Sequence, residues 1–155
     1  MMVVFYIAVN SLFWVAVHFA SGYLVHLIPE SIYHPDRFIF KLHRWEERGT
    51  VYRRWLKINA WKDRLPEAGE FFSLHSFNKS HINRFEKEYL SRFILETCRA
   101  ELSHLLPFFF YPLCLPWNPW PANLIMGIYV VVANVPFIII QRYNRARLLI
   151  LPIFK

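Results

Sequence analysis

The sequence predicts an all-α integral membrane protein, with about three membrane-spanning segments, one of them proline-broken, plus amphipathic interfacial helices. Three observations carry that prediction. No Lys, Arg, Asp or Glu occurs from Met1 to Pro29 or from Leu102 to Ile140. All eleven acids and fourteen of the eighteen bases fall between Glu30 and Glu101, the other four bases being Arg142, Arg145, Arg147 and Lys155. Hydrophobic residues make up 55% of the chain, and with the charges so unevenly spread this is the pattern of an integral membrane protein with one sizeable polar region. A length of 155 residues suits one membrane domain, residues 1–155.

The first segment, residues 2–28, is apolar with scattered Asn10, Ser11, His18, Ser21, Gly22 and His26. At about 1.5 Å per residue it is long enough to cross a bilayer. It lacks a basic flank and exceeds a signal-peptide core, so it is read as retained. Ser11 and His18 lie seven apart and suggest a polar stripe. The plainer reading gives His18 an interhelical hydrogen bond and His26 an interfacial position.

Residues 29–101 form the cytoplasmic and interfacial region. Between Glu30 and Arg64, Trp45, Tyr52, Trp55 and Trp61 are interleaved with Arg44, Arg48, Arg53, Arg54, Lys57 and Lys62. Trp45, Tyr52 and Trp55 fall near one side of a helix, which suits rings in the headgroup layer and bases on phosphates. Gly49 divides this stretch into two short helices. The net charge of +7 matches anionic lipid better than nucleic acid, and no nucleic acid is expected as a partner. Leu65 to Lys79 reads as a loop containing L-P-E-A-G-E and His75. Ser80 then caps a helix from His81 to about Leu106, with an apolar stripe of Ile82, Phe85, Tyr89 and Phe93. Glu88, Arg92 and Glu96 pair along its opposite side.

Residues 102–117 are the proline-broken segment. Pro107, Pro112 and Pro116 remove backbone donors, and carbonyls freed in lipid need partners, so the segment is either a kinked crossing or re-entrant. Trp117 to Pro121 is an interfacial turn, and residues 122–140 are the clearest span, with Asn134 near Pro136. The span ends in Q-R-Y-N-R-A-R. With every base in the middle region or at the C-terminus, both are placed in the cytoplasm and the N-terminus outside. Cys98 and Cys114 fall at different depths, so no disulfide is expected.

Candidate chemistry gathers at Glu96 to His104. On a helix, Thr97, Glu101 and His104 share a face at i, i+4 and i+7. A carboxylate and an imidazole three residues apart can together hold or move a proton, and ionisable groups at the edge of hydrocarbon face a protein interior or a polar cavity.

Two blocks, E-T-x-R-A-E-L-x-H (Glu96 to His104) and A-N-V-P-x-I-I-x-Q-R-Y-N-R-x-R-L (Ala133 to Leu148), resemble the glycosyl-4,4'-diaponeurosporenoate acyltransferase family. Weaker agreement runs through Ile28-Pro29, Ile39-Phe40-Lys41, Glu46, Gly49, Trp55 and Trp61-Lys62. The resemblance implies a multi-pass bacterial cell-membrane acyltransferase of staphyloxanthin-type carotenoid biosynthesis. It would move a fatty acyl group to the sugar hydroxyl of a glycosylated C30 carotenoid acid or a related glycolipid.

For that chemistry His104 is the expected general base, oriented by Glu101, with Arg99 or Arg142 near the developing charge or the donor's phosphates. Asn134, Gln141, Tyr143 and Asn144 are expected on sugar hydroxyls, and Arg145 and Arg147 as membrane-surface anchors or donor contacts. No cofactor or metal is expected, only an acyl donor such as acyl-CoA as co-substrate. Expected partners are membrane lipids, the glycosylated acceptor and the donor, with homo-oligomerisation left open. Neither His-x4-Asp nor Gly-x-Ser-x-Gly occurs. The rival readings are a non-catalytic scaffold or lipid-binding subunit of a biosynthetic complex, and a metal site built on the single Glu-x-x-His.

Overall fold

The computed structural model describes residues 2–65 and 87–154, and every regular element among them is helical. The long elements are α1 (Met2–Leu27), α3 (Lys87–Phe110) and α4 (Trp120–Leu149), and a short α2 (Thr50–Arg54) lies between α1 and α3. The 66–79 part of the expected loop, with His75, and the expected start of the third helix with Ser80, Ile82 and Phe85 lie outside the described residues. The central element is α3, which packs on both α1 and α4.

Only one stripe of α1 turns inward: Asn10, Trp14, Val17, Ser21 and Val25, spaced three or four apart as a helix face requires. Its other faces leave Val3, Phe5, Ile7, Leu12 and Phe19 more than half exposed, as α4 does with Leu124, Ile128 and Val132. In water each such side chain forfeits about 1.5–3 kcal/mol of burial. Among the described residues these two helices are also the ones long and apolar enough to cross a membrane, so the fold is that of a membrane-associated protein. The stripe expected on α1 is corrected in part. Ser11 faces outward, one residue and about 100° from the inward Asn10. His18 does make its interhelical bond, to the Tyr129 hydroxyl at 3.1 Å.

Asn10 and Asn118 exchange two side-chain hydrogen bonds of 2.8 Å, tying α1 to the turn before α4. The Trp14 indole N–H donates to Met126 Sδ at 3.1 Å beside the core of Trp14, Val17 and Val130. Pro107 does not break α3, which continues to Phe110, and Tyr111–Trp117 then tightens into a 3-10 helix. The segment expected to span at 102–117 is thus split between two elements and is no separate apolar helix. Its loosened backbone is satisfied from within the protein: Asn118 Nδ2 donates to the Cys114 carbonyl at 2.9 Å, and Asn123 Nδ2 to the Leu115 carbonyl at 3.4 Å. Cys98 and Cys114 are both buried free thiols.

Before α2, residues Arg44–Gly49 form a 3-10 helix, so the expected division at Gly49 is present. The expected aromatic side is not. Trp45 and Trp55 are 62% and 73% exposed, but Tyr52 is 3% exposed and turns into the core with Ile58 and Tyr143. A 3-10 helix advances 120° per residue, and Arg48 and Gly49 both adopt positive φ, so a wheel drawn at 100° per residue assigns Tyr52 the wrong side.

Gly49, at φ +89°, is pressed against α4: a Cβ built on it lies 3.2 Å from Ala146 Cβ and 3.4 Å from the Tyr143 ring. Gly49→Ala is expected to cost about 1–3 kcal/mol from the backbone conformation alone. Thermal unfolding in detergent checks this, and an unchanged Tm contradicts the packing described.

Candidate active site

The facing surfaces of α3 and α4 meet along a polar seam. On α3 it contains Thr97, Glu101 and His104. On α4 it contains Asn134, Gln141 and Arg145, which at i, i+7 and i+11 share one stripe, all three buried. Arg142 flanks that stripe and reaches toward residues 39–46.

Glu101 is the meeting point. Its Oε1 accepts from Arg142 Nη1 at 2.7 Å, and its Oε2 accepts from Arg145 Nη2. Arg142 also donates from Nη2 to Glu46 Oε1 at 2.6 Å and from Nε to Glu46 Oε2 at 3.1 Å. Its remaining donors go to the Lys41 carbonyl at 2.9 Å and the Ile39 carbonyl at 3.5 Å. A guanidinium has five N–H bonds, so Arg142 is fully committed. Glu46, itself buried, further accepts from the His43 backbone N–H at 2.7 Å and the Tyr52 hydroxyl at 2.5 Å. Burial pushes the Glu46 carboxyl upward, but the Arg142, His43 and Tyr52 donors outweigh it and hold it below its ordinary value of 4.5. Burial and then the Glu46 carboxylate raise the Tyr52 phenol.

Arg145 is wholly buried, which corrects its expected place as a membrane-surface anchor. Besides Glu101 it donates to the Phe40 carbonyl at 2.9 Å, while its Nε and Nη1 have no hydrogen-bond partner among the described residues. Beside it, burial pushes the Cys98 thiol up to about 11, so that sulfur stays protonated.

His104 lies one turn further along α3. Its Nδ1 is 3.2 Å from Asn134 Oδ1, and its ring stacks on Phe137 at 4.6 Å between centroids. Asn134 Nδ2 donates to the Val130 carbonyl at 2.9 Å, which orients the amide oxygen toward the imidazole. Asn134 therefore holds the His104 ring, where Glu101 was expected to do so; the Glu101 oxygens are taken by the two arginines.

The other expected site residues scatter. Arg99, two residues before Glu101 and on another side of α3, binds Glu96 Oε1 at 2.6 Å and Glu30 Oε1 at 3.4 Å and lies over the Tyr33 ring. Arg92 joins this group through Glu96 at 3.0 Å, the i, i+4 pair expected, and its hydrogen bond is the main cause lowering the Glu30 carboxyl. Tyr143 is buried and donates to Asn59 Oδ1 at 3.0 Å, so it packs the core, where a sugar contact was expected. Asn144 is half-buried, Arg147 lies over the Tyr143 ring, and Gln141 Oε1 is buried without a hydrogen-bond partner among the described residues. Sequence reasoning missed Glu46 and Tyr52 as members of the network. The partner of Glu46 is 96 residues away, and only the weaker agreement at Glu46 in the family resemblance pointed to it.

Exposed apolar helices enclosing a buried Arg–Glu and His–Asn seam define a membrane-associated helical protein with its polar site between helices. A family model described as glycosyl-4,4'-diaponeurosporenoate acyltransferase matches residues 29–151, which take in the whole network. A protein of that name from Staphylococcus haemolyticus (strain JCSC1435) is 33% identical over 141 residues, covering 90% of this chain and 81% of the relative. One from Staphylococcus aureus (strain bovine RF122 / ET3-1) is 30% identical over 141 residues, covering 89% and 82%. No solved structure matches. The chain belongs to the glycosyl-4,4'-diaponeurosporenoate acyltransferase family, and it is an acyltransferase.

Two outcomes follow from the network. Glu101→Gln leaves two buried guanidiniums short of a countercharge and is expected to lower the unfolding free energy by about 3–5 kcal/mol, measured by denaturant titration in detergent. The Glu46 carboxyl is lowered on folding, so its stabilisation is fully present above pH 4.5 and is lost as pH falls through its folded value. Tm is expected to drop on acidification below pH 4.5, and to drop less in Glu46→Gln; equal slopes contradict the assignment.

Proposed function

We propose that this acyltransferase moves a fatty acyl group from a thioester donor such as acyl-CoA to the sugar hydroxyl of a glycosylated carotenoid acid, at the inner face of the bacterial cell membrane. The relatives' name, glycosyl-4,4'-diaponeurosporenoate acyltransferase, supports the acceptor. The exposed apolar faces of α1 and α4 support a multi-pass arrangement. The position of every base in residues 29–101 or after Ile140 supports a cytoplasmic middle region and C-terminus, with the N-terminus outside. The end of α3 with the 3-10 helix would complete a third, broken crossing. No resident cofactor or metal takes part in this reading.

The observation that carries it is the His104–Asn134 contact. With the amide oxygen of Asn134 facing Nδ1, the neutral imidazole carries its proton on Nδ1 and its lone pair on Nε2. Nε2 removes the sugar hydroxyl proton as that oxygen attacks the thioester carbonyl. The C–O bond forms, the C–S bond breaks, and the imidazolium returns the proton to the departing thiolate. Arg142 has all five donors committed and Arg99 lies on another side of α3, so the developing oxyanion falls to Arg145, which keeps Nε and Nη1 for it beside its bond to Glu101. Gln141 Oε1 and Asn144 remain for sugar hydroxyls. Glu101 acts at one remove, holding Arg145.

The test uses purified wild type, His104→Ala and Asn134→Leu with acyl-CoA and glycosylated acceptor, the product being followed by mass spectrometry. His104→Ala is expected to lose about 10²–10⁴-fold in rate at unchanged Tm, and Asn134→Leu to lose less. A His104→Ala protein that acylates at the wild-type rate sinks the assignment. A wild type that acylates no glycolipid with any donor returns the chain to a non-catalytic role.

A further inference from the structure

The arginines expected on the donor's phosphates are the ones that carboxylates hold. Arg142 spends its donors on Glu46, Glu101 and two carbonyls, and Arg99 binds Glu96 and Glu30. Other basic side chains face a groove of about 540 Å³ at the C-terminal end of α4. His43, Arg44 and Arg48 form one wall, and Ala146, Leu149 and Ile150 the other. Arg44 and Arg48 are exposed, and neither has a carboxylate partner among the described residues.

This cationic wall is held in position from behind. Glu46, between the two arginines in sequence, points inward to Arg142 and Tyr52. Gly49 sits against Ala146 and Tyr143 at contact distance. Arg48 is held at φ +54°, a left-handed conformation that a non-glycine residue keeps only where surrounding structure imposes it. Two guanidiniums beside an apolar wall suit an oxygen-rich anion carried on a lipid-like molecule, and guanidinium forks match phosphate oxygens.

We propose that this groove binds the phosphates of the acyl donor, and that the donor is a phosphopantetheine thioester such as acyl-CoA. The inference rests on His104 as the reacting centre. Asn134, which holds His104, and Ala146, which lines the groove, are twelve residues apart on α4. That is an axial separation of roughly 18 Å between the two backbone positions, which Arg145, next to Ala146, shortens by reaching back to Glu101. In a phospholipid the ester and phosphate are joined through one glycerol, a few bonds, whereas the phosphopantetheine arm puts an extended chain between thioester and phosphate and is the better match to that separation.

The experiment uses the full chain in phosphatidylcholine nanodiscs, with CoA binding read by calorimetry and transfer read with two donors. One donor is acyl-CoA; the other is the acyl-N-acetylcysteamine thioester, which has no phosphate. Arg44→Ala with Arg48→Ala is compared with Arg53→Ala plus Arg54→Ala, a control on α2. For the groove variant, the Kd for CoA and the KM for acyl-CoA are expected to rise at least tenfold, with kcat retained. Its rate with the phosphate-free donor is expected to match wild type, and the control to be unchanged throughout. His104→Ala is expected to bind CoA as wild type does, which separates a wrong groove from a wrong catalytic base. Unaltered CoA affinity in the groove variant overturns the proposal. So does loss of affinity for phosphatidylglycerol vesicles with CoA binding intact, which assigns the groove to a lipid headgroup.

Discussion

One carboxylate, that of Glu101, holds this structure's polar half together. It is buried and shared between Arg142 and Arg145, and through them it reaches residues far away in sequence. Arg142 grips Glu46 and the carbonyls of residues 39 and 41, and Arg145 grips the Phe40 carbonyl. A buried charge without its partner costs several kcal/mol, so the four ionised groups stand or fall as a set. Such a set adds little net stability over an apolar core of the same volume. Its effect is to give residues 39–46 one position against the ends of α3 and α4.

That position decides what the two ends of the seam can do. At the Glu101 level the network is dense and leaves only Arg145 Nε and Nη1 and Gln141 Oε1 without hydrogen-bond partners among its members. One helical turn deeper, His104 meets the Asn134 amide and stacks on the Phe137 ring. The exposed apolar faces of α1 and α4 flank this seam. The cationic turn at Arg44 and Arg48 stands toward the polar end of the same helix. The arrangement is thus graded along α4, from apolar at Trp120 to cationic past Gln141.

Much of this was legible in the sequence. Charge-free runs and their lengths located α1 and α4, because hydrocarbon burial is a local, additive property. Gly49 announced the break before α2, and the Arg92–Glu96 pair followed from helical spacing. Thr97, Glu101 and His104 do share a face, yet their partners were misassigned. Spacing within α3 says which residues are neighbours on one helix, and nothing about what the next helix supplies. Asn134, 30 residues on, and Arg145, 44 residues on, take up His104 and Glu101 instead of their taking up each other. Arg145 looked like a surface anchor because a charged residue after an apolar span is normally solvated, and only the buried Glu101 overrides that. Tyr52 was misplaced because a 3-10 turn and two positive-φ residues shift the helical wheel.

The most direct measurement of the network's role is a double-mutant cycle between Glu46 and Arg142, with Glu46→Gln, Arg142→Met and the pair compared by equilibrium unfolding in detergent. If the carboxylates and arginines form one buried set, the coupling falls at the upper end of the range of about 0.5–3 kcal/mol, with the double variant less damaged than the sum of the singles. Additivity within about 0.5 kcal/mol would show that Arg142 does not hold residues 39–46 through Glu46, and the account of the site would fail with it.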